Sequence, residues 1–105
     1  MEIMQGDQYH IAIEILVDDQ PITDISTISD VEVCLGTLKK TMANNEIIYS
    51  ETEKAFLFPL TQQEAFAFPA RNQSMQVRVK FQNGDVIGEK LDYVDVESSM
   101  SRTVM

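Results

Sequence analysis

Residues 75–88 read Met75-Gln76-Val77-Arg78-Val79-Lys80-Phe81-Gln82-Asn83-Gly84-Asp85-Val86-Ile87-Gly88, and this stretch decides the fold. Met75, Val77, Val79 and Phe81 fall on one face of an extended chain; Gln76, Arg78, Lys80 and Gln82 fall on the other. Alternation with period two marks a strand with one buried face, because successive side chains point to opposite sides of a sheet. Asn83-Gly84 supplies the turn: glycine has no Cβ to clash at positive φ, and asparagine tolerates the left-handed region. Val86 onward reads as the returning strand, which Leu91, Tyr93, Val94 and Val96 extend. A lone hairpin is marginal in water, so the rest of the chain must cover its apolar face.

Two registers are open. A two-residue Asn83-Gly84 turn pairs Phe81 with Val86, Val79 with Gly88, and Arg78 with Glu89, the last a favourable opposite-charge pair. It leaves Ile87 and Leu91 on the face of Arg78. A three-residue loop, Gln82-Asn83-Gly84, with a bulge instead sets Ile87 opposite Val79 and Leu91 opposite Met75, at the expense of Glu89. A bend at Gly88, shifting the pairing midway, would reconcile the two.

Working outward, Tyr9, Ile11, Ile13, Ile15 and Val17 alternate with His10, Ala12, Glu14 and Leu16 and predict a first strand over 8–17. Asp18-Asp19-Gln20-Pro21 ends it in a turn. Ile22, Ile25 and Ile28 fit one helical turn or a loop pinned by apolar anchors; the surrounding Ser, Thr and Asp favour the loop, because they compete for backbone hydrogen bonds. Val31, Val33 and Leu35 predict a second strand, with 38–41 as its continuation. Residues 47–49 predict a third strand and 55–58 a fourth, closed by Pro59. Thr61 and Glu64 have capping-box spacing, which predicts a short helical turn near residues 62–67, ended by Pro69. Phe66 or Phe68 is expected to plug an open end of the core. The tail, 97–105, has little to bury and is expected to be mobile. The sum is one all-β domain over 1–105: an antiparallel, immunoglobulin-like β-sandwich of six to seven strands with one helical turn, a small barrel being the alternative.

Composition bounds the function. A chain of 105 residues builds one core. Its apolar runs are too short to span a bilayer, and residues 1–7 carry no basic segment followed by an apolar one, so no signal peptide is expected. Cys34 is the only cysteine, which precludes an internal disulfide and suits either a reducing compartment or indifference to redox state. Acidic residues number 17 and basic ones 8, for a net charge of −9. The basic residues Lys39, Lys40, Lys54, Arg71, Arg78, Lys80, Lys90 and Arg102 are scattered, whereas a phosphate-neutralising surface concentrates them. Neither nucleic acid nor membrane is therefore expected as a partner, and the acidity serves solubility.

Candidate chemistry is sparse, and no catalytic, cofactor or metal residue is assigned. His10 and Cys34 suggest a thiol–imidazole pair, but no third group or oxyanion pocket accompanies them. Asp18-Asp19 and Asn83-Gly84-Asp85 are oxygen-rich, yet neither has the spacing of a calcium loop, and turn chemistry accounts for both. One His and one Cys do not make a zinc site. The glycines Gly6, Gly36, Gly84 and Gly88 are too dispersed for a phosphate loop. Met1, Met4, Met100 and Met105, near the termini, read either as an adaptable sticky surface or as terminal residues without a partner.

Three segments carry a family resemblance: Gln5-Gly6-Asp7-Gln8-Tyr9 leading into a strand; Phe58-Pro59-Leu60-Thr61-Gln62-Gln63-Glu64 followed by Phe66; and Gln76 to Gly88 with the ending Val96-Glu97-Ser98-Ser99-Met100-Ser101. In this order they resemble small phage and prophage proteins of Gram-positive bacteria, in particular the N-terminal β-sandwich domain of phage baseplate upper proteins. The resemblance implies a non-enzymatic virion structural or assembly protein of the tail or baseplate region. It would be made in the bacterial cytoplasm, carried into the virion, and act by contacts with other virion proteins or as a homo-oligomer. A sandwich of this kind offers edge strands for such contacts, with 47–49 and the chain ends as the expected sites. The alternative is a soluble ligand- or carbohydrate-binding module, for which the aromatic residues on offer include Tyr9, Tyr49 and Tyr93 but no tryptophan.

Overall fold

In the computed structural model, which describes residues 1–17, 19–22 and 24–105, the chain forms ten strands. They are β1 (Glu2–Met4), β2 (Tyr9–Ile13), β3 (Leu16–Val17), β4 (Gln20–Pro21), β5 (Ile28–Leu35), β6 (Leu38–Thr41), β7 (Ile48–Ser50), β8 (Ala55–Leu60), β9 (Asn72–Phe81) and β10 (Val86–Glu97). One helix, α1 (Gln62–Ala67), and one 3-10 turn (Ile25–Thr27) complete the elements. A five-stranded sheet, β1-β10-β9-β5-β6, packs on a three-stranded sheet, β2-β8-β7, while β3 and β4 form a separate hairpin. The fold is an all-β sandwich. Its strands outnumber the expected six or seven by the short β1, β3 and β4, whose two or three residues are too few to show alternation.

The core lies between the sheets. β9 contributes Met75, Val77 and Val79, β5 contributes Val31, Val33 and Leu35, and the facing sheet contributes Ile11, Ile13, Phe56, Phe58 and Leu60. Phe68 is the plug at the end of this core, with Ala65 behind it, whereas Phe66 is only half-buried. Among the described residues every strand pair is antiparallel except β1–β10, which runs parallel and buries Ile3 beside Val96.

The hairpin takes the three-residue register. Ile87 pairs with Val79, Glu89 with Val77, and Leu91 with Met75. Gly84 sits at φ 97°, and Phe81 N donates to Asp85 O at 2.8 Å, closing the loop 82–84. Pairing runs unbroken through Gly88; the shift falls between Leu91 and Val94 instead. That irregularity changes which parity faces inward. Residues 87, 89 and 91 share the inner face up to the shift, and Val94 and Val96 occupy it afterwards.

Other expectations move by a few residues for local reasons. The first strand stops at Ile13, and the chain then turns back through β3 and β4, with Asp19 at φ 64° and Ile22 N bonded to Ile15 O. Asp18 of the expected turn lies outside the described residues. Residue 23 of the 22–30 segment also lies outside the described residues; the described remainder holds a 3-10 turn capped by Asp24, whose side chain accepts from Ser26 N, and buries Ile22 and Ile28. β5 begins at Ile28, three residues ahead of Val31. Pro59 does not close the fourth strand but lies within it, paired with His10. A strand residue aims its N–H and C=O to the same side, and the Pro59 carbonyl is taken by Lys40 rather than by β2. The missing donor therefore breaks no ladder bond. β10 includes Glu97, and residues 98–105 turn back over Gln5 and α1. No helix among the described residues is long and apolar enough to cross a membrane.

Candidate functional site: an open seam between two sheet edges

The side of the sandwich bounded by β2 and β10 is open. β2 pairs with β8 alone, and β1 pairs with β10 only along Asp95–Glu97. Among the described residues, the outer edge of β10 from Val86 to Leu91 therefore has no neighbouring strand. The opposite side differs, because the 42–47 connection joins β6 to β7 and is tied in by Glu46 N and Ile47 N, both bonded to Thr41 O.

Three adjoining cavities follow the open side. One, of about 240 Å³, lies between Ile11–Glu14 of the β2 lip and Met75, Leu91 and Val94. The next, of about 420 Å³, shares Glu14 and Leu91 with it and adds Ile15, Leu16, Asp19, Val77 and Glu89. The last, of about 290 Å³, continues past Val79 and Phe81 to Ile87. Together they form one seam with an aliphatic floor. Ile87 remains 61% exposed and Leu16 53%, because β2 ends before it can cover the outer half of the hairpin.

The seam is acidic. Glu14, Asp19 and Glu89 line it, and no lysine or arginine does so among the described residues. Glu89 points into it because the three-residue register sets it opposite Val77. An inward charge on an edge strand discourages indiscriminate edge pairing and leaves a specific electrostatic feature behind.

The positions singled out in the sequence go elsewhere. His10 lies on the outer face of the three-stranded sheet and Cys34 on the outer face of the five-stranded one, since their neighbours Ile11, Val33 and Leu35 point inward. The core separates them, so they form no thiol–imidazole pair. Asn83 and Asp85 satisfy each other: Asp85 N donates to Asn83 Oδ1 at 2.9 Å, and Asn83 Nδ2 to Asp85 Oδ2 at 3.2 Å. β7, one of the expected contact strands, is the far edge of the smaller sheet, with Ile48 63% exposed.

Two charge clusters escaped sequence reasoning because distant residues build them. Lys40, one of the basic residues scattered through the sequence, is 6% exposed; its Nζ donates to Pro59 O at 2.6 Å and Glu64 Oε1 at 2.9 Å, and lies 5.3 Å from the Phe58 ring centroid. Glu64 Oε1 also accepts from Thr61 N, completing the capping box. Burial pushes the Glu64 carboxyl up, but the bonds from Lys40 and Thr61 outweigh it and hold it below its usual range. The parallel β1–β10 pair gathers the carboxylates of Glu2, Asp95 and Glu97 within 4.8 Å of one another. The hydrogen bond that the protonated Glu97 carboxyl donates to Asp95, together with the charge of Asp95, raises Glu97 above the usual range.

Comparison of the chain with protein-family models, with curated proteins and with solved structures returned no match.

Proposed function

We propose that this chain is a non-enzymatic structural or assembly protein of a phage or prophage tail or baseplate region, and that it works by binding other proteins of the particle. One observation carries the reading: the outer edges of β2 and of β10 from Val86 to Leu91 face one side of the sandwich with no strand paired to either among the described residues, and an aliphatic cleft lies between them. Unpaired backbone groups along a strand bind another extended segment, and the adjoining side-chain cleft selects which one. The walls are largely aliphatic and acidic, which suits a peptide better than a sugar, whose rings prefer aromatic platforms. The Leu60–Glu64 and Gln76–Gly88 segments supply the link to phage sandwiches.

Pairwise binding tests the proposal. Each tail-region protein encoded beside this chain is purified and measured against it, one at a time, by biolayer interferometry. At least one pair is expected to bind with Kd below about 100 μM. Absence of binding to every one of them refutes the proposal.

A further inference from the structure

Resting on that reading, we infer that the seam receives residues 98–105 of a second copy of this chain, laid antiparallel along the outer edge of β10. The edge itself states what fits. A strand added there sets its inner-face side chains opposite Ile87, Glu89 and Leu91 in turn. The complementary pattern is apolar, any, basic, any, apolar. It occurs twice in the chain, as Leu38-Lys39-Lys40-Thr41-Met42 and as Met100-Ser101-Arg102-Thr103-Val104. The first is locked in and just beyond β6, with Lys40 buried against Pro59 and Glu64. The second is exposed, and Met100 and Val104 bury little where they stand. Antiparallel docking puts Met100 opposite Leu91, Arg102 opposite Glu89 and Val104 opposite Ile87.

The same copy cannot supply this strand. Extended chain reaches at most about 3.6 Å per residue, so the five residues from Glu97 to Arg102 span about 18 Å. Glu89 lies eight strand residues back from Glu97, about 26 Å at the usual rise. The segment must come from a neighbour. The contact is head-to-tail, so repetition yields a ring or a filament rather than a closed two-fold dimer. In the isolated copy Arg102 donates to Gln5 Oε1 at 2.9 Å and Phe66 O at 3.3 Å and stacks 4.8 Å from the Phe66 ring centroid. Both hydrogen bonds lie at the surface, where exchange for Glu89 in the acidic seam is accessible.

Light scattering across a concentration series tests the inference, with Glu89→Lys, Arg102→Glu and the double exchange beside the wild-type chain. The wild-type mass is expected to rise above that of the 11.9 kDa monomer with concentration. Each single reversal is expected to weaken assembly at least about tenfold, and the double exchange to restore it. Glu89→Lys leaves the contacts of Arg102 in its own copy intact, and circular dichroism checks that every variant stays folded. A wild-type chain that is monomeric up to about 1 mM overturns the inference, as does assembly indifferent to either reversal or not restored by the exchange. Neither result touches the pairwise binding that tests the broader function, so the two readings fail separately.

Discussion

Glu64→Ala is expected to cost more than its partly exposed position suggests. Its carboxylate is the counter-ion of Lys40, whose ammonium is buried, with Pro59 O and the Phe58 ring as its other partners. Breaking a buried pair from one side leaves an uncompensated charge, which costs about 3–5 kcal/mol. The Glu64 side chain is 26% exposed, so water entering the vacated space lowers this to about 2–3 kcal/mol. Losing its half of the capping box adds about 0.5–1 kcal/mol. Lys40→Met removes the cation instead and leaves an apolar chain in an apolar site; the Pro59 carbonyl loses its partner, for about 1 kcal/mol, and Glu64 exchanges Lys40 for water while keeping its bond from Thr61 N, at a smaller cost. Urea unfolding at pH 7, followed by circular dichroism, should thus rank Glu64→Ala well below Lys40→Met. The double variant should recover part of the Glu64→Ala loss, with a coupling of about 1.5 kcal/mol. The melting temperature of Glu64→Ala should fall by about 15 °C. The carboxyl titrates below its usual range in the folded state, so the stabilisation is full above the unfolded value. It disappears as pH falls through the folded one, and the gap between wild type and Lys40→Met should close on acidification. Equal losses for the two single variants with additive doubles would refute the buried-charge reasoning.

Three further outcomes are expected. Gly6→Ala forces a Cβ to 2.5 Å from Phe66 Cζ at φ 90°, whereas Gly84→Ala meets nothing within 4 Å at φ 97°; the first should cost about 2–3 kcal/mol and the second about 1 in the same unfolding assay. Tyr49→Phe removes the 2.7 Å bond from the phenol to Ile22 O, for a loss of about 1 kcal/mol, with the edge-on packing against Phe56 retained. Glu97 is raised in the fold, so its cluster destabilises as pH climbs through the carboxylate range. Asp95→Asn should then stabilise the protein at pH 7 but not at about pH 3, and carbon NMR should show Glu97 titrating lower in that variant.

Features written within a few neighbouring residues were legible in the sequence. The capping box is one: Thr61 and Glu64 are three apart, and both of its bonds form. The burial of Met75, Val77 and Val79 is another, since alternation needs only one strand to be seen. β1 was not legible. Three residues cannot display a period, and what orders Ile3 is a parallel partner more than ninety residues away. Lys40 read as one of the scattered basic residues for the same reason, because the groups that hold it come from β8 and α1. The seam could not be read from any strand, because it is defined by where β2 and β1 stop covering β10.

The hairpin register is what turns that missing cover into a recognition surface. Had the turn been the two-residue Asn83-Gly84, Ile87 and Leu91 would lie on the outer face with Arg78, and Glu89 and Lys90 would exchange sides. The third loop residue sends 87, 89 and 91 inward as a set. Leu91 packs partly buried against the core and still lines the seam, while Ile87 extends past the end of β2 and stays exposed, with Glu89 between them over Val77. An apolar-acidic-apolar row on a free edge cannot be satisfied by the hydrophobic effect alone: a wholly apolar strand would bury the Glu89 carboxylate unpaired, at a cost of several kcal/mol. Cross-strand charge complementarity therefore sets which segments bind, and Glu89 excludes acidic ones, including a second β10 edge centred on itself. Deleting Gln82 to force the shorter turn should thus abolish assembly while leaving Val77 and Val79 buried. Assembly that survives the deletion would separate the seam from the register that creates it.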